Sequence, residues 1–365
     1  MKTTMTSRER VIAALTHQKP DRPPLNYYGT PETDMMLLDH LHLKSREDLL
    51  CHLGADLRYV SPKYVGPDRF VGQTGYFTPG LDMWGVRWKP INAGVCTYSE
   101  IAHHPLADAE TLDDIKAHPW PNVDWCDVSH VKEQIKRLND PHPRAIVFTM
   151  GGNGTFETPW SIRGLERFMM DLIECPEIAD FMMMKVTTFL AEVTERALEA
   201  ADGMIDIVWS SSDVGMQTGM MISPDVWRQL VKPWQQQLIE PYKQMGLFTR
   251  YHSDGSIVPI IEDLIEMGLD LLDPIQPKAA DMNAVNLARR FGGRLAFYGG
   301  LDTQELLPMG TPDQVERQML ELINVLGRNG GYIAAASNAI QADVPVENIL
   351  SLFRTAREYD HRRKS

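Results

Sequence analysis

The stretch Phe248-Thr249-Arg250-Tyr251-His252-Ser253, followed by Asp254-Gly255-Ser256 and then by Ile257 to Met267 and Leu271-Leu272-Asp273-Pro274-Ile275, reads as strand, loop, helix and strand. The first run is short and β-rich, residues 257–267 repeat their apolar positions at helical spacing, and residues 271–275 are apolar again. A strand that reaches the next strand through a helix pairs with it in parallel, by a right-handed crossover.

Outward from this unit the pattern recurs. Further strand candidates lie at 25–28, 57–60, 145–150, 205–210, 295–298 and 331–335, and helical patterns at 176–201, 224–245, 282–291 and 312–326. With 248–253 and 271–275 the strands number eight, the count that closes a (β/α)8 TIM barrel, and 365 residues suit that fold, which spans roughly 200 to 400. An open doubly wound sheet is disfavoured because no GxGxxG follows an early strand. At the start, Thr6 or Ser7 with Glu9 or Arg10 caps a helix through Val11, Ile12 and Leu15, which Pro20-Asp21-Arg22-Pro23-Pro24 ends. Residues 67–143 are rich in Trp, Gly and Pro (Trp84, Trp88, Trp120, Trp125) and read as a long insertion over one barrel end, as lid or as dimer contact. The expected organisation is a single domain over 1–360 and a basic tail at 361–365.

Bulk composition narrows the function. A net charge of -13 argues against nucleic acid or an anionic membrane surface as the main partner. The four cysteines (Cys51, Cys96, Cys126, Cys175) form no CxxC pair and read as reduced thiols of a cytoplasmic protein. The polar start has no signal-peptide core, and charges break every apolar stretch before the roughly 18 residues of a membrane span. The expectation is a soluble protein. No P-loop, HExxH or Ser-His-Asp spacing is present, and there is no NAD, PLP or nucleotide motif.

In such a barrel chemistry sits at the C-terminal ends of the strands. That rule selects Asn26 and Tyr28, then Lys63 and Tyr64, then Asn153, Glu157 and Trp160, Ser211 to Asp213, His252 to Asp254, Asp273 and Gln276, Asp302 and Gln304, and Ser337, Asn338 and Gln341. His252 and Asp254, two apart, suit metal ligation or proton transfer; the competing role for Asp254 is to cap the helix that follows, and for His252 a buried hydrogen bond. Glu157, after Gly151-Gly152-Asn153-Gly154 and near Trp160, is a candidate proton donor with a raised pKa, or a plain carboxylate at a helix start. Asp213 is expected to orient His252. The catalytic candidates are thus His252, Glu157 and Asp213, with Asn26, Tyr28, Asn153, Trp160, Gln276 and Asn338 binding substrate, and His252 with Asp254 as metal ligands. The Met-rich pieces read as core filler.

Several segments together resemble the uroporphyrinogen decarboxylase superfamily, which includes corrinoid-linked methyltransferases. They are Arg8-Glu9-Arg10-Val11 with Pro20-Asp21-Arg22-Pro23-Pro24, Gly299-Gly300-Leu301-Asp302-Thr303-Gln304, and Gln341-Ala342-Asp343-Val344-Pro345-Val346-Glu347-Asn348-Ile349. The resemblance covers nearly the whole chain and implies the same barrel, as a homodimer. Its decarboxylases carry an arginine-rich "RQAGRY" loop that binds the substrate's acidic groups; here that place reads Tyr27-Tyr28-Gly29-Thr30-Pro31-Glu32. The Asp of their "FSDI" element falls in Val60-Ser61-Pro62-Lys63, and the His of "GHGI" aligns with Asn338.

The methyltransferases show "HxC" after the fifth strand and a second Cys after the last, which hold zinc. This chain keeps His252 and places Asp254 and Asn338 at the two cysteine positions. The resemblance therefore implies methyl transfer or demethylation of a small methylated substrate, with zinc or another divalent ion in a harder site and a corrinoid on a partner protein. The alternatives are a decarboxylase or lyase acting on a small carboxylate or porphyrinogen-like compound, and a barrel that binds a tetrapyrrole or small ligand without turnover.

Overall fold

The computed structural model describes residues 5–72, 79–94 and 96–359; of 152 and 153 it describes the backbone only, and the basic tail at 361–365 lies outside the described residues. Seven parallel strands form one curled sheet: β1 (Leu57–Val60), β2 (Ala145–Gly154), β3 (Ile207–Ser211), β4 (Phe248–His252), β5 (Leu271–Ile275), β6 (Ala296–Leu301) and β7 (Tyr332–Ala336). Neighbours in sequence are neighbours in space throughout. These are the positions read from the sequence, shifted by a few residues at some ends.

The eighth stave departs from expectation. Residues 25–28 form no regular strand; only isolated bridges, Leu25 to Ala334 and Gly29 to Ile340, mark it. Pro23 and Pro24 have no N–H to offer a ladder. The segment still closes the ring, because Asn26 N–H donates to Ala334 O (3.1 Å) on β7 while Asp56 N–H, just before β1, donates to Leu25 O (2.8 Å). A buried ion network latches this seam from below. The Asp56 carboxylate accepts from Arg10 (2.7 Å), from Arg22 (2.8 Å) and from Leu25 N–H (2.8 Å), and Arg10 also binds Asp21 (2.7 Å).

The barrel interior is built by the period of two. On β4, Phe248, Arg250 and His252 share the inner face, whereas Tyr251 turns outward to Gln235. Val11 and Leu15 of the N-terminal helix (Ser7–Leu15), capped by Thr6 with Glu9, plug the floor against Leu57, Ala145, Val147, Ile207, Leu271 and Ala296. Above that apolar floor lies a layer of Tyr59, Trp209, Arg250 and Tyr298. The next row, in register across three strands, is Ser211, His252 and Asp273. It opens at the mouth.

Helices Pro176–Ala201 and Pro312–Leu326 lie where the sequence puts them. The pattern at 224–245 makes two helices rather than one: a continuous run over 224–236 with a π turn at Trp227–Val231, and Glu240–Gln244. Pro233 and Pro241 each remove an N–H that a regular α-helix needs. The stretch 67–143 is also not all insertion. Its helix Val131–Leu138 buries Val131 and Ile135, one turn apart, against β1 and helix Pro176–Ala201, and so serves as the β1-to-β2 crossover.

The remainder includes a three-stranded antiparallel sheet, Gly80–Leu81, Arg87–Asn92 and Thr97–His103. This sheet arches along the mouth: Thr97 N–H donates to Glu32 (3.1 Å) and Cys96 Sγ to Gln341 (3.6 Å) at one side, and Leu106 N–H to Ile162 O (3.0 Å) at the other. All four cysteines are free thiols. Among the described residues no helix is long and apolar enough to cross a membrane.

Candidate functional site

His252 ends β4 with its ring directed by a residue of the next strand. Its Nδ1 lies 3.1 Å from Asp273 Oδ2, so Nε2 faces the mouth, 3.7 Å from Asp254 Oδ1 and 3.8 Å from Asp213 Oδ1. The expectation that Asp213 orients His252 is thereby corrected: Asp273 does so, because pairing in register sets it beside His252, while Asp213 sits on the open side of the ring. Asp254 is held at both oxygens, by Gln276 (2.8 Å) and by Asn338 (2.9 Å), and its N–H donates to Asp213 (2.8 Å). Asp254 therefore faces the mouth rather than capping the following helix.

Burial opposes the charged form of His252, but the charges of Asp273, Asp213 and Asp254 outweigh it and raise its pKa to about 10. Burial raises Asp254 to about 6, with Asp213 and Asp273 adding to the shift against the pull of His252. Asp273 goes the other way. Burial disfavours its charge too, yet Arg250 and His252 hold the carboxyl below its usual range.

Glu157, buried at the start of helix Glu157–Arg163, accepts a hydrogen bond from Ser211 Oγ (2.8 Å) at Oε1 and has no partner at Oε2. Burial and then the Asp213 charge push its carboxyl up to about 7, so near neutral pH it exists partly as the acid, with a proton to give. The close approach depends on Gly154, whose missing Cβ would collide with Glu157 Oε2 and with the backbone oxygen of Ser211. Gly154→Ala should therefore cost about 1–3 kcal/mol by overpacking and displace the acid. A thermal melt and a turnover assay check this, and wild-type values in both would refute the tight fit.

The remaining expected substrate contacts divide. Gln276 and Asn338 reach the site, but through Asp254. Tyr28 is 46% exposed, and after partial burial the Asp273 charge is the next influence that raises its phenol pKa, which places it beside the mouth. Trp160 is half-buried against the core with Nε1 unpaired. Asn26 does not face the mouth: it is buried, and its amide donates to Tyr59 (2.8 Å) and Tyr298 (2.7 Å) inside the barrel, because it lies within the closing stave, next to the bridge from Leu25 to Ala334, and not at the stave's end. The Asn153 side chain lies outside the described residues.

Arg250, Tyr59, Trp209 and Tyr298 support the site without having been expected there. The available signal was periodicity, since Arg250 lies two residues before His252 and shares its face.

His252 Nε2 and one oxygen each of Asp213 and Asp254 lie within 4.8 Å of one another. Tetrahedral zinc, with bonds of about 2.0–2.2 Å, sets donor atoms roughly 3.3–3.6 Å apart, so a small inward movement of two carboxylates suffices. One nitrogen and two oxygens fit zinc or a harder divalent ion and leave a position open.

A family model described as Uroporphyrinogen decarboxylase (URO-D) matches residues 6–359. The chain belongs to this family. Among solved structures it is similar to a methyltransferase from Methanosarcina mazei, at 18% identity and a TM-score of 0.69, covering 97% of this chain and 99% of that one. A rutinosidase from Aspergillus niger matches at 11% identity over 84% and 81% of the two chains, with a TM-score of 0.41. No curated protein matches. The segments that carry the URO-D resemblance prove structural here. Asp21 and Arg22 belong to the seam latch, the Asp302 carboxylate caps the N–H groups of Gln304, Glu305 and Leu306, and Asn348 ties the last helix to Leu307 O and Gly310 O. Asp254 and Asn338, which come from different strand ends, touch each other at the mouth.

Proposed function

We propose that the protein is a metal-assisted methyltransferase that removes a methyl group from a small methoxy or methylamine compound and passes it to a corrinoid on a partner protein. The observation that carries this reading is the convergence of His252 Nε2, Asp213 and Asp254 on one open point of the mouth. Family membership and a fold neighbour that is called a methyltransferase support it. His252, Asp213 and Asp254 would hold the ion, with Gln276 and Asn338 fixing the second carboxylate. A divalent ion supplies Lewis-acid polarisation of the heteroatom that bears the methyl group. As the methyl–heteroatom bond breaks, the leaving group takes a proton, and Glu157 is the acid beside the site that can give it.

The buried acid also favours a second reading, a decarboxylase that protonates a carbanion from a small carboxylate. Arg250, which could pair with such a substrate, is already taken by Asp273.

Metal analysis of protein purified without chelator should give one divalent ion per chain, lost in His252→Ala. Incubation with cob(I)alamin and methoxy or methylamine donors should give methylcobalamin. Carbon dioxide released from a carboxylic acid without any corrinoid would establish the second reading instead, and ligand binding without turnover of either kind would leave a binding barrel.

A further inference from the structure

Two residues behind His252 form a built support that no role in the reaction just described requires. Asp273 is buried, and it receives the Arg250 guanidinium at 2.8 Å and 3.0 Å through two nitrogens as well as His252 Nδ1 at 3.1 Å. Arg250 is itself fixed from three sides. Its Nη1 donates to Tyr59 Oη (2.6 Å), and its guanidinium carbon lies 4.2 Å from the Tyr298 ring centre and 4.9 Å from that of Trp209. Trp209 in turn stands edge-on to the His252 ring at 5.8 Å. The hydroxyls of Tyr59 and Tyr298 are both held by the Asn26 amide.

From this geometry we infer that Arg250 is the positioning residue of the site: it clamps Asp273, and Asp273 holds the His252 ring so that only Nε2 is presented between Asp213 and Asp254. Two points favour this over plain structural pairing. An Arg–Asp pair inside a barrel is not needed for packing, since aliphatic residues fill such layers well. The carboxylate also serves two partners at once, and the second is the imidazole. Nε and Nη2 of the guanidinium both meet Asp273 Oδ2, the same oxygen that faces His252 Nδ1, so the rigid fork fixes the position of the one atom on which the imidazole rests. Ligand histidines gain affinity when their far nitrogen is held by a carboxylate, and loss of that partner weakens metal binding roughly 10- to 100-fold. Tyr59 and Asn26 extend the support to β1 and to the closing stave, so the ring's orientation depends on the seam being shut.

The inference rests on reading Nε2 of His252 as the working atom, and the experiment separates the two. In metal-free protein labelled with 15N-histidine, the Nδ1–H signal of His252, assigned by its loss in His252→Ala, should be sharp and slow to exchange with water. It should shift and broaden in Asp273→Asn and Arg250→Lys, and less so in Tyr59→Phe, which removes one hydroxyl and keeps the fold. An unchanged signal in folded Asp273→Asn and Arg250→Lys overturns the inference whether or not metal binds. Zinc affinity, measured by competition with a chromophoric chelator, should fall roughly 10- to 100-fold in Asp273→Asn. Wild-type affinity in that variant also overturns the inference. Absence of zinc binding by the wild type, with the Nδ1–H signal behaving as described, refutes the metal reading and leaves the positioning role standing.

Discussion

Asp56→Ala is expected to lower the stability of the fold by about 3–5 kcal/mol. Asp56 is fully buried and answers two guanidiniums, Arg10 and Arg22, besides the Leu25 N–H. Its removal leaves cationic groups facing each other in the interior with only Asp21 as counter-charge, and breaking a buried pair in this way costs about 3–5 kcal/mol. Against a typical stability of roughly 5–15 kcal/mol this is a large share. The loss also falls where the ring is joined by isolated bridges rather than by a regular strand. Urea denaturation should show a much lower midpoint, and an unfolding free energy within about 1 kcal/mol of wild type would show that backbone contacts alone hold the seam.

Glu157→Gln should divide activity from stability. Loss of a general acid lowers turnover by roughly 10²- to 10⁴-fold, with the deficit greatest where wild-type Glu157 is still protonated, below about pH 7. Stability moves the opposite way. A carboxyl raised from 4.5 to about 7 by burial keeps its proton in the folded chain while the unfolded chain gives it up. The cost of folding with this group is therefore absent below pH 4.5, grows between there and pH 7, and is full above, on the order of 3 kcal/mol. Glutamine removes the cost. Metal-free Glu157→Gln should melt above wild type at pH 8 and level with it near pH 4.5; equal melting temperatures at both would mean that Glu157 is not strained by burial. Asp254, raised to about 6, adds a slope of the same sign, whereas His252, raised to about 10, contributes stability that is present below about pH 6.5 and lost as the pH rises through 10.

Most of the frame was legible in the sequence because each regular stave is a short apolar run between turn signals, a local property. The closing stave was legible in its place, 25–28, but not in its form: it makes only isolated bridges, and its closure relies on Asp56, Arg10 and Arg22, residues distant in sequence. The site divides similarly. His252, Asp254, Asp213, Gln276 and Asn338 follow strands and can be found by position alone. Arg250, Tyr59 and Tyr298 lie inside strands, where a pattern reading treats polar residues as exceptions; their meaning depends on register between strands, which one sequence does not display. Asp273 lies inside β5 rather than after it, and its partner could be chosen only once β4 and β5 were aligned. Asn26 lies inside the 25–28 segment rather than after it, and so reaches Tyr59 and Tyr298, which are themselves inside strands, instead of the mouth.

The seam latch and the mouth, although built from different residues, are not independent. The latch and the caps at Asp302 and Asn348 are spent on one another and on backbone groups, and the atoms that converge on the mouth belong to a separate set. The two sets meet through Asn26, which lies on the closing stave and holds the hydroxyls of Tyr59 and Tyr298 beneath the site. A disturbance that opens the seam is therefore felt at the mouth.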